Sequence, residues 1–271
     1  MTNDIRSTTD LSSESRQALH DLILSLADSK RIIGILFADW VLGAPELEAN
    51  IATSSISQDE WGHSRLLYAL LKDFGEDPEK LEHARQPSQY CNVEALDQRL
   101  ATWPEFVVAN AIVDTALTVQ LEALAGTRYT PLRQRVEKQL EEERFHEAHG
   151  AAWLRRLGSS SDAARAAVQA AVNVRWSQVL HWFGPDDFGA AAKSAGLSDG
   201  TGGELRARFI ERMTPVIEGA GLEVPSTELD FSSWDPTSRR SNRIGPDTEA
   251  VARARGDRNR AFFVETAEPE K

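Results

Sequence analysis

The sequence has a single cysteine, Cys91, among its 271 residues. One thiol excludes an intrachain disulfide framework and favours a reducing compartment, so we expect a cytoplasmic protein. Positive charge is also scarce, because 30 lysines and arginines face 42 aspartates and glutamates, for a formal net charge of -12. Nucleic-acid binding usually needs a basic face, and this balance therefore argues against a nucleic-acid partner.

Long apolar runs are missing as well. No stretch approaches the length of a transmembrane helix, and the first 15 residues contain no apolar core of signal-peptide length. We therefore expect a soluble protein without a membrane partner. The hydrophobic fraction of 41% still predicts a folded core rather than a disordered chain.

Strand-type alternation is absent, and helical periodicity takes its place. Glycine and proline at the boundaries predict four long helices, at about 14–43, 45–73, 103–125 and 130–157. Two further helices are predicted at about 162–183 and 204–218. The expected organisation is a flexible arm (1–15), a helical domain (16–220) and an extended C-terminal tail (221–271).

Two short motifs place a carboxylate and an imidazole three residues apart on buried helix faces. They are Glu60-x-x-His63 and Glu143-x-x-His146. Residues at this spacing lie on one face of a helix, about one turn apart, so each pair can hold one metal ion. Apolar residues flank both pairs at helical spacing, which predicts that the pairs face the core.

Each motif has an aspartate at the matching height of the preceding helix. Asp28 and Glu60 each lie 16 residues from the turn near Ala44, and Asp114 and Glu143 lie 14 and 15 residues from the turn near Arg128. Two Glu-x-x-His pairs joined by acids from partner helices form the ligand set of ferritin-like di-iron and di-manganese bundles. The sequence therefore predicts an all-α, ferritin-like four-helix bundle with two additional C-terminal helices and an irregular tail.

The predicted metal ligands are four carboxylates and two imidazoles: Asp28, Glu60, His63, Asp114, Glu143 and His146. This set favours iron, or manganese as the alternative, over structural zinc. Buried carboxylates are costly without cations, and the apolar stripes carry too few lysines or arginines to compensate them. Other interpretations stay open for two of the six, because Asp28 can pair with Lys30 or Arg31, and Asp114 can bind a neighbouring backbone group.

Two further groups have weaker interpretations. Glu142, Asp59 and Glu147 lie off the inner faces, where we expect them to support the ligands or contact water. The run Arg239, Arg240 and Arg243 can meet a phosphate, but such a run is more often a solvated tail.

A family resemblance rests on an ordered series of segments. They are residues 44–47, 58–63, 113–114, 142–146 and 182–185, with a later block from 204 to 225. Over about residues 24 to 235 the chain resembles the phenylacetic acid catabolic proteins, the family of the catalytic subunit of phenylacetyl-CoA epoxidase. The family's first-helix carboxylate falls near Arg31 rather than Asp28, and the run 28–34 is more similar to a non-catalytic relative.

The resemblance implies two iron ions, dioxygen, an acyl-CoA substrate, a separate flavin and iron–sulfur reductase, and a homo- or hetero-oligomer with a related helical subunit. We accordingly expect a di-iron oxygenase that inserts one oxygen atom into an apolar or aromatic acyl-CoA thioester, by ring epoxidation or hydroxylation, with Glu60 and Glu143 as catalytic carboxylates. The alternative is a non-catalytic structural partner subunit of a multicomponent oxygenase. Iron storage is disfavoured, because roughly 100 residues follow the fourth helix and a four-helix unit needs far less chain.

Overall fold

The chain is helical throughout its regular structure. A computed structural model describes residues 4–241 and 244–257. Within these ranges the first helices are α1 (Ser13–Ala38), α2 (Leu47–Leu71), α3 (Pro78–His83), α4 (Trp103–Val108), α5 (Thr115–Glu122) and α6 (Thr130–Ser160). The later ones are α7 (Asp162–Trp182), α8 (Ala190–Ser194), α9 (Gly202–Glu218) and α10 (Thr248–Ala254). No β-strand occurs in the described ranges, so the predicted all-α fold is confirmed.

A ferritin-like four-helix bundle forms the centre of the fold. Helices α1, α2 and α6 supply three members, and residues 103–122 supply the fourth as one helix with a π-helical segment, Ala109–Asp114, between α4 and α5. Helices α7 and α9 pack on the outside of this bundle. Their apolar residues extend the core, and Trp176, Trp182 and Phe209 are fully buried there.

Helices α1 and α2 approach each other closely at Gly34. A Cβ atom at this position would lie 2.6 Å from Cδ1 of Trp61 and 3.0 Å from Cβ of Glu60. The Ser57 hydroxyl also donates a hydrogen bond of 2.8 Å to the Gly34 carbonyl. Because glycine has no side chain here, α2 can press against α1 and place Glu60 beside it.

A second close approach joins α6 to the π-helical segment. A Cβ atom on Gly150 would lie only 2.8 Å from Cα of Ala111. All six residues of the π-helical segment are buried. Single π-helical turns inside α-helices are frequent at functional sites, since the extra residue re-aims the side chains that follow it. Asp114, the last residue of the segment, is therefore a position of interest.

The segments expected to form an arm and a tail make defined contacts where the structure describes them. Ile5 accepts a hydrogen bond from Thr130 N (2.9 Å) and is largely buried. In the tail, α10 packs on α1, and Arg31 donates a 2.6 Å hydrogen bond to the carbonyl of Ala254. These contacts join sequence-distant residues, so periodicity along the chain could not predict them.

The interpretation of the arginine run as a solvated tail is wrong for its first two members. Arg239 and Arg240 are both buried. Arg240 forms an ion pair with Asp97 (2.7 Å) and donates a 2.5 Å hydrogen bond to the carbonyl of Asn92. Arg243 lies outside the described residues.

Candidate functional site

A buried lysine occupies the centre of the predicted ligand cluster. The ammonium nitrogen of Lys30 lies 2.6 Å from Glu143 Oε1, 2.7 Å from Asp114 Oδ1 and 3.0 Å from Glu60 Oε1. All four side chains are 0–1% exposed. An ammonium group has three hydrogens to donate, so Lys30 uses each of them on a different carboxylate.

Four helical segments position this cluster. Lys30 comes from α1, Glu60 from α2, Asp114 from the end of the π-helical segment, and Glu143 from α6. The pairing of each Glu-x-x-His motif with a core-facing stripe is confirmed, because both glutamates and both histidines are buried. The carboxylates from three helices converge as expected, but the fourth helix contributes a cation.

The two histidines lie on the rim of the cluster, with ring centroids 6.2 Å apart. His146 places Nδ1 3.2 Å from Glu60 Oε1 and 3.2 Å from Asp114 Oδ2. His63 places Nδ1 3.1 Å from Glu143 Oε1. Five of the six predicted ligands therefore lie together around Lys30.

Outer acids hold the far nitrogens of these histidines. Glu142 Oε2 lies 2.7 Å from His63 Nε2, and Asp59 Oδ2 lies 3.3 Å from His146 Nε2. The expectation that these acids support the inner residues agrees with this placement. The sequence analysis did not identify Thr118, whose hydroxyl donates a hydrogen bond of 2.9 Å to Glu143 Oε2. Its position four residues beyond Asp114, on the same face, is the signal that could have indicated it.

The charges of the cluster neutralise one another without an added cation. Burial lowers the pKa of Lys30, but the three carboxylates outweigh this effect and raise it well above its ordinary value. Burial also lowers the pKa of His146, and its hydrogen bonds to Asp114, Asp59, Glu143 and Glu60 raise it far above the usual range. At neutral pH both groups are positively charged.

The acids respond in different directions. Burial raises the pKa of Glu143, but Lys30 and the histidine hydrogen bonds leave it well below its ordinary value. Burial and the nearby Asp114 raise the pKa of Glu60 to about 7. Glu60 is therefore protonated in only part of the molecules at neutral pH, while Glu143 is ionised.

Asp28 does not lie in the cluster. Its carboxylate accepts hydrogen bonds from the Tyr68 hydroxyl (2.6 Å), the Cys91 N–H (2.7 Å) and Arg85 Nη1 (2.9 Å). Nη2 of Arg85 donates a further hydrogen bond to it. The ring of Tyr90 lies 4.2 Å from the Arg85 guanidinium carbon. Asp28 is thus the buried partner of Arg85, and its expected role as a metal ligand does not match this position.

The physical reason lies in α1. Every residue of α1 from Ser25 to Phe37 is buried, so this helix has no single inward face. Height along the bundle matched Asp28 to Glu60, but Lys30 is only two residues further and points about 200° away around the helix. The premise that the stripes lack a compensating cation is also wrong, because Lys30 supplies it.

The fit of this site to a metal can be tested on these contacts. Donor atoms of Glu60, Asp114, Glu143 and His146 lie within 4.8 Å of one another, so the group could hold one metal ion. Lys30 already takes one oxygen from each of the three carboxylates, and its ammonium group occupies the space between them. With Lys30 in this place, the residues do not fit a two-iron centre.

Comparison with known proteins places the chain in a family. The family model described as "Phenylacetic acid catabolic protein" matches residues 1–237. The chain belongs to the phenylacetic acid catabolic protein family. The resemblance inferred from the ordered motifs is therefore confirmed.

Two proteins of Escherichia coli (strain K12) are similar to the chain. The A subunit of 1,2-phenylacetyl-CoA epoxidase is 28% identical over 207 residues, which cover 74% of this chain and 67% of that protein. The C subunit of the same enzyme is 26% identical over 225 residues, which cover 82% of this chain and 90% of that protein. An epoxidase is an oxygenase, so the expectation of an oxygenase enzyme subunit is confirmed.

None of the helices within 4–241 and 244–257 is both long and apolar enough to span a bilayer.

Proposed function

We propose that the chain is a subunit of a multicomponent oxygenase of phenylacetate catabolism, and that it serves as the metal-free structural partner of an iron-carrying subunit. The observation that carries the proposal is the position of Lys30, whose ammonium group lies among Glu60, Asp114 and Glu143. This is the alternative raised by the sequence, and it now leads.

The charge argument supports this role. Carboxylates buried in a bundle need cations, and in the di-iron bundles the metals supply them. Here the positive charge belongs to the side chain of Lys30, so it cannot exchange with ions in solution. A lysine nitrogen in three hydrogen bonds offers dioxygen no binding position, so oxygen chemistry belongs to the partner subunit.

The relatives support the assembly. The two E. coli proteins are named as different subunits of one epoxidase, and this chain resembles both. A bundle that keeps the helices and the buried polar centre can present the same packing surfaces as a catalytic relative. In this proposal the acyl-CoA substrate, dioxygen and the electrons of a separate reductase go to the partner subunit, and this chain positions that partner.

Metal content gives the first test. The wild-type protein, produced in iron-rich medium and measured by elemental analysis, is expected to contain well under one iron per chain. Lys30→Glu restores an acid on α1 and is expected to gain binding of Fe²⁺ or of the spectroscopic probe Co²⁺. Lys72→Glu, a substitution of an exposed lysine, is the matched control and should gain none. Two irons per wild-type chain would overturn the proposal.

Turnover by the assembled enzyme gives the second test. In a purified complex with its iron-carrying family partner, Glu143→Gln in this chain is expected to leave turnover nearly unchanged. The matching substitution in the partner should abolish it. Loss of turnover from Glu143→Gln, in a complex that still assembles, would assign catalysis to this chain.

A catalytic di-iron subunit is the second candidate. The two intact Glu-x-x-His motifs and the similarity to the A subunit of the epoxidase favour it. It requires Lys30 to leave the cluster when metal enters, so the wild-type protein should itself bind about two Fe²⁺ or Co²⁺ ions per chain. Absence of saturable metal binding by the wild-type protein excludes this candidate.

A further inference from the structure

A large cavity lies apart from the lysine-centred cluster. Its volume is about 690 Å³, within the usual range for small-molecule sites. The wall is formed by the first turns of α1, the 183–192 segment, the start of α9 and the 236–239 loop, with Gln120 from α5. Leu22, Phe183 and Leu205 give it an apolar surface, and none of the residues around Lys30 lines it.

Arg239 lines this cavity as a buried cation without an acidic partner. Among the described residues its guanidinium makes no ion pair, and its Nη1 has no hydrogen-bond partner. Its carbon lies 4.8 Å from the Trp182 ring centroid and 5.0 Å from that of Phe188. The aromatic rings stabilise a cation but leave the N–H groups of Nη1 without an acceptor. Burial lowers the pKa of Arg239 to about 10, and the charge of nearby Asp21 offsets this only in part.

The neighbouring Arg240 shows that an arginine in this loop can be buried with its guanidinium paired to an acid. Arg240, one position further, is also buried, but it satisfies its guanidinium with Asp97 and the Asn92 carbonyl. Arg239 instead has a backbone φ of 54°, in the left-handed region that non-glycine residues rarely adopt. A hydrogen bond of 2.8 Å from Arg239 N to the Asp235 carbonyl, within the same loop, stabilises this backbone conformation.

A second unpaired group lines the same cavity. Gln120 is 1% exposed, and its Oε1 has no hydrogen-bond partner. Leaving a buried donor unpaired is costly, so Nη1 of Arg239 indicates a ligand that carries an acceptor group. Gln120 Oε1 is itself an acceptor, so it needs a donor such as water and is not completed by a carboxylate.

The charges on the wall narrow the class of ligand. Glu14, Asp21 and Asp187 also line the cavity. Among the described residues none of these carboxylates forms an ion pair with Arg239. Their charge disfavours a polyphosphate such as coenzyme A, and Arg239 remains the position for a single negative charge. A carboxylate matches the forked N–H groups of arginine in two parallel hydrogen bonds.

We infer that this cavity binds an apolar organic acid with one negative charge, whose carboxylate pairs with Arg239 and whose body lies against Leu22, Phe183 and Leu205. The site is a binding site distinct from the Lys30 cluster. It is independent of the role proposed for that cluster.

Calorimetric titration of the full chain with octanoate, phenylacetate and 4-phenylbutyrate tests the inference. At least one carboxylate is expected to bind saturably, and its uncharged amide at least tenfold more weakly. Arg239→Gln should weaken carboxylate binding at least tenfold, whereas Arg165→Gln, at a half-exposed arginine on α7, should leave it unchanged. Octanoyl-CoA should show no binding that depends on Arg239.

A cavity-filling variant guards against a folding artefact. Ala18→Phe keeps Arg239 and fills the cavity from α1, so it should also abolish carboxylate binding while the melting temperature stays close to that of the wild type. Equal binding of acid and amide would overturn the inference. So would unchanged affinity in both the Arg239→Gln and Ala18→Phe variants, or no saturable binding of any of the three acids.

Discussion

Replacing Lys30 by methionine keeps the length of the side chain and removes its charge. The three carboxylates that Lys30 contacts would then remain buried among apolar residues, with only the imidazoles of His146 and His63 beside them. Breaking a buried ion pair by removing one partner typically costs about 3–5 kcal/mol. For a chain of this size each kcal/mol lowers the melting temperature by about 2 °C, so we expect a fall of about 6–10 °C.

Urea denaturation at pH 7 measures this loss, and two comparisons give it meaning. Lys138→Met removes a lysine that is 70% exposed and lies 3.8 Å from Glu142, so it should change stability by at most about 0.5 kcal/mol. Adding Asp114→Asn to Lys30→Met should recover part of the loss, because it removes one of the uncompensated charges. If Lys30→Met is as stable as Lys138→Met, Lys30 does not neutralise the cluster and the reasoning fails.

Three other perturbations have defined outcomes. Gly150→Ala should lower the free energy of unfolding in urea by about 1–3 kcal/mol, because the new Cβ atom would meet the backbone of Ala111. Gly62→Ala, with nothing within 4 Å of its Cβ atom, should instead stabilise its helix by up to about 1 kcal/mol. Equal effects of the two substitutions would contradict the close packing at Gly150. Burial and Asp28 raise the pKa of Cys91 to about 12, so iodoacetamide at pH 8 should alkylate the native thiol far more slowly than the unfolded one. The pKa of Glu143 is lower in the folded than in the unfolded protein, so the stability that Glu143 contributes is present above about pH 4.5 and is lost as the pH falls. Between about pH 6 and 3 the urea midpoint should therefore decline less steeply for Glu143→Gln than for the wild type. Parallel profiles of the two proteins would refute this.

The sequence predicted most of the helices and most of the site for one reason. Helices α2 and α6 are amphipathic, with one polar and one apolar side. Glu60 and Glu143 could therefore be assigned to the core from periodicity alone. The third carboxylate, Asp114, followed from its height in the hairpin. These residues are brought together as expected, and the family resemblance agrees with them.

The errors share a different cause. Helix α1 is buried on all sides around its centre, so periodicity cannot say which residue faces the cluster. The family comparison held the better signal, since the missing carboxylate fell beside a basic pair, Lys30 and Arg31. The same limit applies to Arg239, because a buried arginine in an irregular loop has no periodic pattern from which burial can be inferred.

The internal lysine also bears on when the protein can fold. A bundle that relies on metal ions to neutralise its buried acids gains that stability only when metal is present. Lys30 arrives with the chain during synthesis and cannot be chelated, oxidised or replaced by a competing ion. The bundle can therefore reach its final shape before any metal is delivered, and in the role proposed for this chain it would offer a preformed surface to an iron-carrying partner.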